Sequence, residues 1–166
     1  MRAKTIIPTW TEICEEAPEE IKKYLYRCEK TLQSPKWHPE GNCLIHTNIV
    51  YNRARKTGNL DFAVSALFHD LGKANVTKLN SKGTWSAPGH EYASLKLVEK
   101  YKDWIEKLGA NYDIVHFIVK EHMRAKQIDN MRPFKRQQLM SHPYYSYVEK
   151  FTQFDNMKIN YSDDIN

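Results

Sequence analysis

Residues 60–71 constrain the fold more than any other part of this chain. The stretch is apolar at eight of its twelve positions and contains neither proline nor glycine. Asn59 is a good N-cap residue, and Asp61 suits the first turn of a helix that begins at residue 60. A helix with almost no polar face must be covered by other elements on every side. The sequence therefore predicts a central, buried helix with further helices packed around it.

Apolar residues recur at helical spacing in several other stretches of the chain. The expected helices span residues 11–31, 43–57, 90–108 and 110–125, and a last one begins after Pro143, which fits a first helical position. Thr11 is the expected cap of the first helix, and Pro18 leaves open whether that stretch is one helix or two. No stretch has the alternation that is typical of a strand. We predict an all-α bundle of about six to seven helices.

The length of 166 residues favours a single domain that covers residues 1–166. We expect its core at about residues 35–156, preceded by the helix at 11–31 and followed by a polar, frayed tail at 157–166. Residues 73–89 form a predicted loop. Its length and weak periodicity favour a lid or a segment that contacts the substrate.

Charge and cysteine content indicate the kind of partner and compartment. The formal net charge of +5 favours an anionic partner, such as a phosphorylated small molecule, a nucleotide or an RNA end. Three cysteines without a CxxC pair favour reduced thiols and a cytoplasmic location. The N-terminus lacks the apolar run of a signal peptide, and no stretch is long enough to span a membrane. The sequence indicates no protein partner and leaves the oligomeric state open.

Several histidine and aspartate side chains fall on apolar helix faces or at helix ends. They are His46, His69, Asp70, His90, His122 and Asp155. A lone inward histidine is usually a hydrogen-bonded core residue, and Asp155 alone has the alternative of pairing with Arg53. Together, however, these imidazoles and carboxylates are ligands that divalent metals prefer. We therefore predict a metal centre. The remaining histidines are assigned to loops or the surface: His38, His116 and His142.

The order His46 … His69-Asp70 … His90 … His122 … Asp155 resembles the HD-domain superfamily of metal-dependent phosphohydrolases, which is all-helical. Three motifs are similar to those in the HD domain of bacterial tRNA nucleotidyltransferases. They are Trp37-His38-Pro39-Glu40-Gly41-Asn42, His69-Asp70-Leu71-Gly72-Lys73 and Gly89-His90-Glu91. The resemblance covers roughly residues 35–156. Because the sequence contains no nucleotidyltransferase head domain, we expect a stand-alone phosphohydrolase module.

The resemblance implies ligand roles for the matching residues. The four ligands of the superfamily's principal metal match His46, His69, Asp70 and Asp155. His90 and His122 match the ligands of a second ion that Asp70 bridges, or residues that contact the substrate phosphate in members with one metal. The resemblance thus implies one or two divalent ions. The mixed nitrogen and oxygen ligands are compatible with Mn, Fe, Co, Ni and Mg.

Charged residues beside these ligands are candidates for phosphate binding and proton transfer. Lys73 matches the family's phosphate-contacting lysine, and Gly72 before it permits a tight turn. Arg124 and Lys126 would extend the positive surface, with a solvated helix face as the alternative. The catalytic candidates are Asp70, Lys73, Glu40 and Glu91, the two glutamates as proton-transfer groups or as groups that orient a ligand histidine.

By analogy with this subgroup, the expected reaction is cleavage of phosphoester bonds of nucleotides or RNA ends by a metal-activated water. The leading candidate substrates are molecules that carry a 2′,3′-cyclic phosphate or a 2′-phosphate group. Trp37, Trp85 and Tyr92 are candidates to stack a base, with a packing role as the alternative. Other hypotheses are a nucleotidase acting on dNMPs or dNTPs, a cyclic-nucleotide phosphodiesterase, and a non-catalytic module that binds nucleotides or RNA and contains a metal.

Overall fold

A computed structural model describes residues 6–158, 161, 164 and 165 of the chain. The helices are α1 (Trp10–Glu16), α2 (Glu19–Glu29), α3 (Cys43–Lys56), α4 (Leu60–His69), α5 (Lys73–Val76), α6 (His90–Lys100), α7 (Lys102–Lys107), α8 (Tyr112–Lys126), α9 (Pro133–Met140) and α10 (Tyr145–Phe154). Two short strands, β1 (Lys78–Leu79) and β2 (Trp85–Ser86), pair in an antiparallel hairpin. The all-α prediction is confirmed.

The central position predicted for residues 60–71 is correct. Every residue of α4 except Asp61 is buried. This helix packs against α3, α6 and α8, while α8 also packs against α6 and α10. The Asn59 side chain caps α4 by accepting hydrogen bonds from the backbone N–H groups of Asp61 and Phe62. Because α3, α6 and α10 pack around α4 and α8, the C-terminal end of α4 lies inside the bundle.

The first and fourth predicted helices are each divided in the structure. The stretch at 11–31 forms α1 and α2, because Ala17 and the following Pro18 are extended. The stretch at 90–108 forms α6 and α7, which are separated at Tyr101. These divisions raise the number of helical segments above the six or seven expected.

Two predicted helix starts are wrong. Thr9, and not Thr11, caps α1: its Oγ1 accepts from Glu12 N–H at 3.2 Å, and Glu12 Oε1 accepts from Thr9 N–H at 3.0 Å. This reciprocal pair is a capping box, which satisfies two backbone donors at once. Pro143 precedes α10 in a turn instead of occupying its first position, since the helix begins at Tyr145.

The segment at 73–89 is more ordered than a plain loop. It begins with α5 and continues into the β1–β2 hairpin, in which Leu79 pairs with Trp85. The expectation that the chain has no strand is therefore wrong. The Asn80 side chain builds the turn by accepting from the backbone of Lys82 at 2.9 Å and of Thr84 at 3.0 Å. Sequence periodicity missed this hairpin because each strand has only two residues.

The segment predicted to be a frayed tail contacts the core at several of its described positions. Met157 is buried, and the buried Asp164 carboxylate accepts from Arg53 Nε at 3.0 Å and Lys56 Nζ at 2.5 Å. The rest of that prediction concerns residues 159, 160, 162, 163 and 166, which lie outside the described residues. The domain boundaries given above stay a prediction.

Within residues 6–158, 161, 164 and 165, no helix combines the length and the apolar composition that a membrane span requires. Cys14, Cys28 and Cys43 are free thiols. The cytoplasmic location stays a prediction.

Gly72 sets how closely the turn after α4 approaches α6. Its φ of −63° is open to any residue, so the expected need for unusual backbone freedom is wrong. A Cβ atom there would lie 2.4 Å from the His90 carbonyl oxygen and 2.5 Å from the Ser94 nitrogen. The Gly72 N–H donates to Ser94 Oγ at 2.8 Å, which ties the turn to α6. Glycine is required here by close approach of two backbones.

We predict that Gly72→Ala destabilises the protein by about 3 kcal/mol, near the upper end of overpacking penalties, because backbone atoms cannot move aside as a flexible side chain does. Gly58→Ala is the matched control. Gly58 has a φ of +75°, and an added Cβ would meet no described atom within 4 Å. Its cost is therefore backbone strain alone, about 1 kcal/mol. Urea unfolding measures both variants, and equal losses would contradict the close-approach account.

Candidate metal centre

The fold brings the six predicted ligands into one buried cluster. Helix α3 carries His46, α4 ends with His69 and is capped by Asp70, α6 begins with His90, α8 carries His122, and Asp155 caps α10. None of the six is more than 4% exposed. The helical spacing predicted the inward direction of His46, His122 and Asp155 and placed the other three at helix ends. The packing of α4 and α8 makes all six converge.

The first group of ligand atoms surrounds a common point between α3, α4 and α10. His46 Nε2 lies 2.6 Å from Asp155 Oδ1 and 3.2 Å from Asp70 Oδ2. His69 Nε2 lies 3.2 Å from the same Asp70 oxygen and 3.4 Å from His46 Nε2. All four ligand atoms lie within 4.8 Å of one another, so the group could hold a metal ion.

A second group shares Asp70 with the first. Its Oδ1 atom lies 3.0 Å from His90 Nε2 and 3.7 Å from His122 Nε2, and these two nitrogens are 3.3 Å apart. The two oxygens of the Asp70 carboxylate therefore face different pairs of histidines. These three residues also form a group that could hold a metal ion.

Backbone carbonyl groups determine which ring nitrogen faces the cluster. The Nδ1 atoms of His69, His90 and His122 lie 2.6, 3.0 and 2.7 Å from the carbonyl oxygens of Ala66, Ala87 and Val119. A carbonyl oxygen only accepts, so each Nδ1 carries a proton and each ring directs its Nε2 atom at the cluster. In its neutral form such a ring presents an Nε2 lone pair to the carboxylate oxygens. This arrangement requires positive charge at its centre, either protons on the rings or a cation, and the residues present fit a divalent metal.

Comparison with known proteins agrees with this geometry. The family model of the HD domain matches residues 44–155. This chain belongs to the HD-domain family. It is thereby a member of a superfamily of metal-dependent phosphohydrolases, as the sequence predicted.

The curated relatives include multifunctional CCA proteins, which confirms the predicted subgroup resemblance. Those of Acinetobacter baumannii (strain SDF), Halorhodospira halophila and Vibrio campbellii are 30%, 28% and 29% identical to this chain over 102, 102 and 103 residues. Each alignment covers 61% of this chain and 24% of the relative, so the chain spans about a quarter of the length of these proteins. No solved structure gives a significant match.

Two lysines of the HD domain lie directly against the ligand carboxylates. Lys73 Nζ is 3.2 Å from Asp70 Oδ2 and donates to Gln33 Oε1 at 2.8 Å. Lys126 Nζ pairs with Asp155 Oδ2. The sequence placed Lys126 among phosphate-binding candidates and offered Arg53 as the alternative partner of Asp155. In the structure Arg53 bonds to Asp164, and the Asp155 carboxylate pairs with Lys126.

Glu40 and His38 form a polar pair behind His46. Glu40 Oε1 is 3.0 Å from His38 Nδ1 and 3.8 Å from His46 Nδ1, and its side chain is fully buried. The His38 ring meets the His46 ring edge-on, with centroids 4.9 Å apart. His38 lies in the loop before α3, as assigned, but its largely buried ring contacts Glu40 and His46, which was not predicted. The only signal in the sequence was its place beside Glu40 in a loop rich in functional side chains.

Neither Arg124 nor Glu91 contacts the inward-facing atoms of the cluster in the part of the chain that the structure describes. Arg124 pairs with Glu121 of the same helix at 2.8 Å, and its side chain is 43% exposed. Glu91 Oε2 lies 3.8 Å from His90 Nδ1, which already bonds to Ala87 at 3.0 Å. The structure thus keeps Glu91 beside a ligand histidine on the side away from the ligand atoms. Gln33, which bonds to Lys73, was missed, and no local pattern marks it.

A cavity of about 180 Å³ opens beside the cluster. His38, Lys73 and His90 belong both to the cluster or its surroundings and to the cavity wall. The wall also includes Trp37, from the loop before α3, and Trp85, from the hairpin. A molecule in this cavity would lie beside the cluster and within a wall that carries two indole rings.

The charges of the cluster shift the pKa values of its members in opposite directions. Burial lowers the pKa of His69, but the carboxylates of Asp70 and Asp155 outweigh it and raise this pKa to about 9. Burial lowers the pKa of His122 to about 4, with Asp70 opposing. Burial alone would raise the pKa values of Asp70 and Asp155, yet the nearby histidines and lysines hold both well below the usual range. Both carboxylates are therefore ionised at neutral pH.

We predict that the metal-free protein is most stable near pH 6.5. The raised pKa of His69 stabilises the fold fully below its unfolded value of 6.5, and this contribution, on the order of 3 kcal/mol, is lost as pH rises through 9. The lowered pKa of His122 contributes above 6.5 and is lost as pH falls toward 4. Thermal unfolding after chelation, followed from about pH 5 to pH 9, measures the profile.

Added Ni²⁺ should raise the melting temperature more on the alkaline side, because the ion replaces the protons that hold the cluster together. His69→Gln should flatten the alkaline limb, whereas His116→Gln, a change on the far side of α8, should leave it in place. A metal-free profile with no decline above pH 6.5 would contradict the account.

Proposed function

We propose that this HD domain hydrolyses phosphoester bonds of nucleotides or RNA ends, with 2′,3′-cyclic phosphates and 2′-phosphates as the leading substrates. The observation that carries the proposal is the position of the Asp70 carboxylate. Each of its oxygens faces a different pair of histidines, 3.0 to 3.7 Å away. A carboxylate in this position is suited to bridge two cations beside a cavity that admits a substrate.

The first group, His46, His69, Asp70 and Asp155, is our proposed principal metal site. His90 and His122, with Asp70, are our proposed second site. A divalent ion bound there would neutralise phosphate charge and activate a water molecule as the nucleophile. Mn, Fe, Co, Ni and Mg remain compatible with these ligands.

Lys73 and Lys126 would have different electrostatic roles, the first toward the substrate phosphate and the second toward the Asp155 carboxylate. Asp70 raises the pKa of Lys73 despite the lowering effect of burial, so its ammonium stays charged at the cavity wall. There it would stabilise the charge on the non-bridging phosphate oxygens. Lys126 would act differently from a direct phosphate ligand, because it already neutralises Asp155. Glu40 would keep the rings of His38 and His46 in place, as groups behind metal ligands commonly do.

The preference for RNA ends or nucleotides rests on two supports. The relatives are CCA proteins by name, and their alignment covers the HD region of this chain. The formal net charge of +5 also favours a polyanionic or phosphorylated partner. The other catalytic hypotheses are a nucleotidase for dNMPs or dNTPs and a cyclic-nucleotide phosphodiesterase. Both use the same groups and differ only in substrate. A non-catalytic binding module would have no chemical requirement for a complete set of metal-ligand side chains that opens beside Lys73 onto a cavity.

We predict that metal-stripped protein regains hydrolysis of 2′,3′-cyclic AMP when Mn²⁺ or Ni²⁺ is supplied. Asp70→Asn should lower this rate by at least about 100-fold, because it removes the charge shared by both groups. Asp113→Asn, a change of the same kind on the exposed face of α8, should leave the rate unchanged. Phosphate release and product chromatography measure the reaction.

Other outcomes would redirect the proposal. If the wild-type protein binds metal and releases phosphate only from dNMPs or dNTPs, the nucleotidase hypothesis replaces the phosphodiesterase. If both wild-type and Asp70→Asn proteins bind nucleotides and neither turns over any phosphoester, the protein is a binding module. Hydrolysis preserved in Asp70→Asn would refute the site itself.

We predict a stoichiometry of two divalent ions per chain for the wild-type protein and one for His122→Gln. The second group loses one of its two imidazoles in that variant, while the first group keeps all four ligands. His142→Gln, at an exposed position, should retain two ions. Elemental analysis after dialysis gives the count, and circular dichroism checks that each variant is folded. A single ion in the wild-type protein would show that His90 and His122 serve the substrate instead.

A further inference from the structure

The wall of the cavity beside the cluster combines charged or polar side chains with aromatic ones. Lys73 and His90 contact the Asp70 carboxylate and also line the cavity, as does His38. Trp37 and Trp85 line the wall together with Leu32 and Met123. The volume of about 180 Å³ is smaller than the roughly 300 to 1,000 Å³ of pockets for drug-sized ligands. The cavity would therefore enclose only part of a nucleoside phosphate, and the rest of such a ligand would lie against the partly exposed indole rings.

Neither tryptophan is explained by packing. Trp37 is 59% exposed and Trp85 is 38% exposed, whereas Trp10 of α1 belongs to the buried core. The hairpin that carries Trp85 has exposed or half-buried residues at all its strand positions. Exposed tryptophans on two separate segments of chain, lining one cavity, form a surface that a ligand would cover.

Local hydrogen bonds hold each of these segments in shape. The Ser34 carbonyl oxygen accepts from the backbone N–H groups of Trp37 at 3.2 Å and His38 at 2.9 Å. Asn80 N–H donates to the Thr84 carbonyl oxygen at 2.8 Å, just before Trp85. The Lys73–Gln33 hydrogen bond then joins the first segment to the cluster. The two chain segments that carry the indole rings are thus held in place beside Lys73 before any ligand arrives.

A buried hydroxyl beside the cavity has no hydrogen-bond partner in the part of the chain that the structure describes. Thr77 belongs to the cavity wall, and its Oγ1 atom is the unpartnered group. Thr77 follows α5, which begins at Lys73, and precedes the hairpin. Its hydroxyl therefore belongs to the chain segment that connects Lys73 to Trp85. An unsatisfied polar atom at this place is suited to a hydroxyl group of a sugar.

We infer that Trp37 and Trp85 bind the base of a nucleoside phosphate by stacking, while Lys73 and the metal ligands hold its phosphate. This inference rests on the proposed function and narrows it to substrates that carry a base next to the scissile phosphate. Stacking on an indole ring reads the flat face of a base and not its hydrogen-bonding edge. The site should therefore accept several bases and discriminate strongly against base-free phosphoesters.

The test compares two cyclic phosphodiesters, 2′,3′-cyclic AMP and glycerol 1,2-cyclic phosphate, which differ in the presence of nucleoside. In the metal-loaded protein, Trp37→Ala and Trp85→Ala should each lower kcat/KM for 2′,3′-cyclic AMP by about 5- to 150-fold, the range for loss of one stacked base. The rate with the glycerol compound should change by less than about twofold, because that compound makes no stacking contact.

Two controls separate stacking from damage to the fold. Trp37→Phe and Trp85→Phe retain an aromatic ring and should recover most of the rate with 2′,3′-cyclic AMP. Phe134→Ala removes an exposed aromatic ring of α9 that is not part of the cavity wall, and it should leave both rates unchanged. Equal losses with both substrates in the alanine variants would mean that the tryptophans only support the fold, and would overturn the inference.

Calorimetric titration with AMP and ribose 5-phosphate distinguishes this inference from the proposed function. Tighter binding of AMP than of ribose 5-phosphate, lost in both alanine variants, would support stacking even if no phosphoester were hydrolysed, in which case only the proposed function would fail. Hydrolysis that does not distinguish base-free from base-bearing substrates, with equal binding of the two titrants, would overturn the stacking and leave the phosphohydrolase intact.

Discussion

The Asp70 carboxylate, buried among four imidazole rings, is the interaction on which the rest of this structure depends. A buried charge is strongly unfavourable unless opposite charges and hydrogen-bond donors surround it. Here the compensating groups come from α3, α4, α6 and α8, and Lys73 adds a permanent positive charge at 3.2 Å. The helices must therefore meet at the C-terminal end of α4. The contact between Gly72 and α6 secures one side of that meeting point.

Helical periodicity predicted most of the helices and the positions of the candidate ligands, because both depend on the spacing of residues within one helix. The apolar surface of α4, the inward direction of His46 and His122, and the place of His90 at a helix start all follow from residue spacing. The ends of the helices and strands were predicted less accurately. The break at Tyr101 has no proline or glycine to mark it, and the hairpin strands are too short for alternation to be visible.

The rest of the site depends on contacts between distant parts of the chain, which spacing does not predict. Lys126 meets Asp155 only because α8 and α10 pack together, and Gln33 reaches Lys73 from a different segment. The same limit explains the wrong partner offered for Asp155. Arg53 lies on α3 and points to Asp164 near the end of the chain. Each of these partners has a side chain long enough to serve several neighbours, so only the packed helices decide which neighbour it contacts.

In the three histidines that bond to backbone carbonyl groups, this hydrogen bond fixes the orientation of the ring as well as the position of the Nδ1 proton. His69, His90 and His122 each bond to the residue three positions earlier: Ala66, Ala87 and Val119. Each ring is therefore locked by its own local segment, independently of whatever occupies the cluster. The rotational freedom of these rings is lost on folding and not on ion capture. Exchange of one ion for another should need little structural reorganisation. Which ion the protein carries would then follow from the metals available around it more than from any adjustment of the protein.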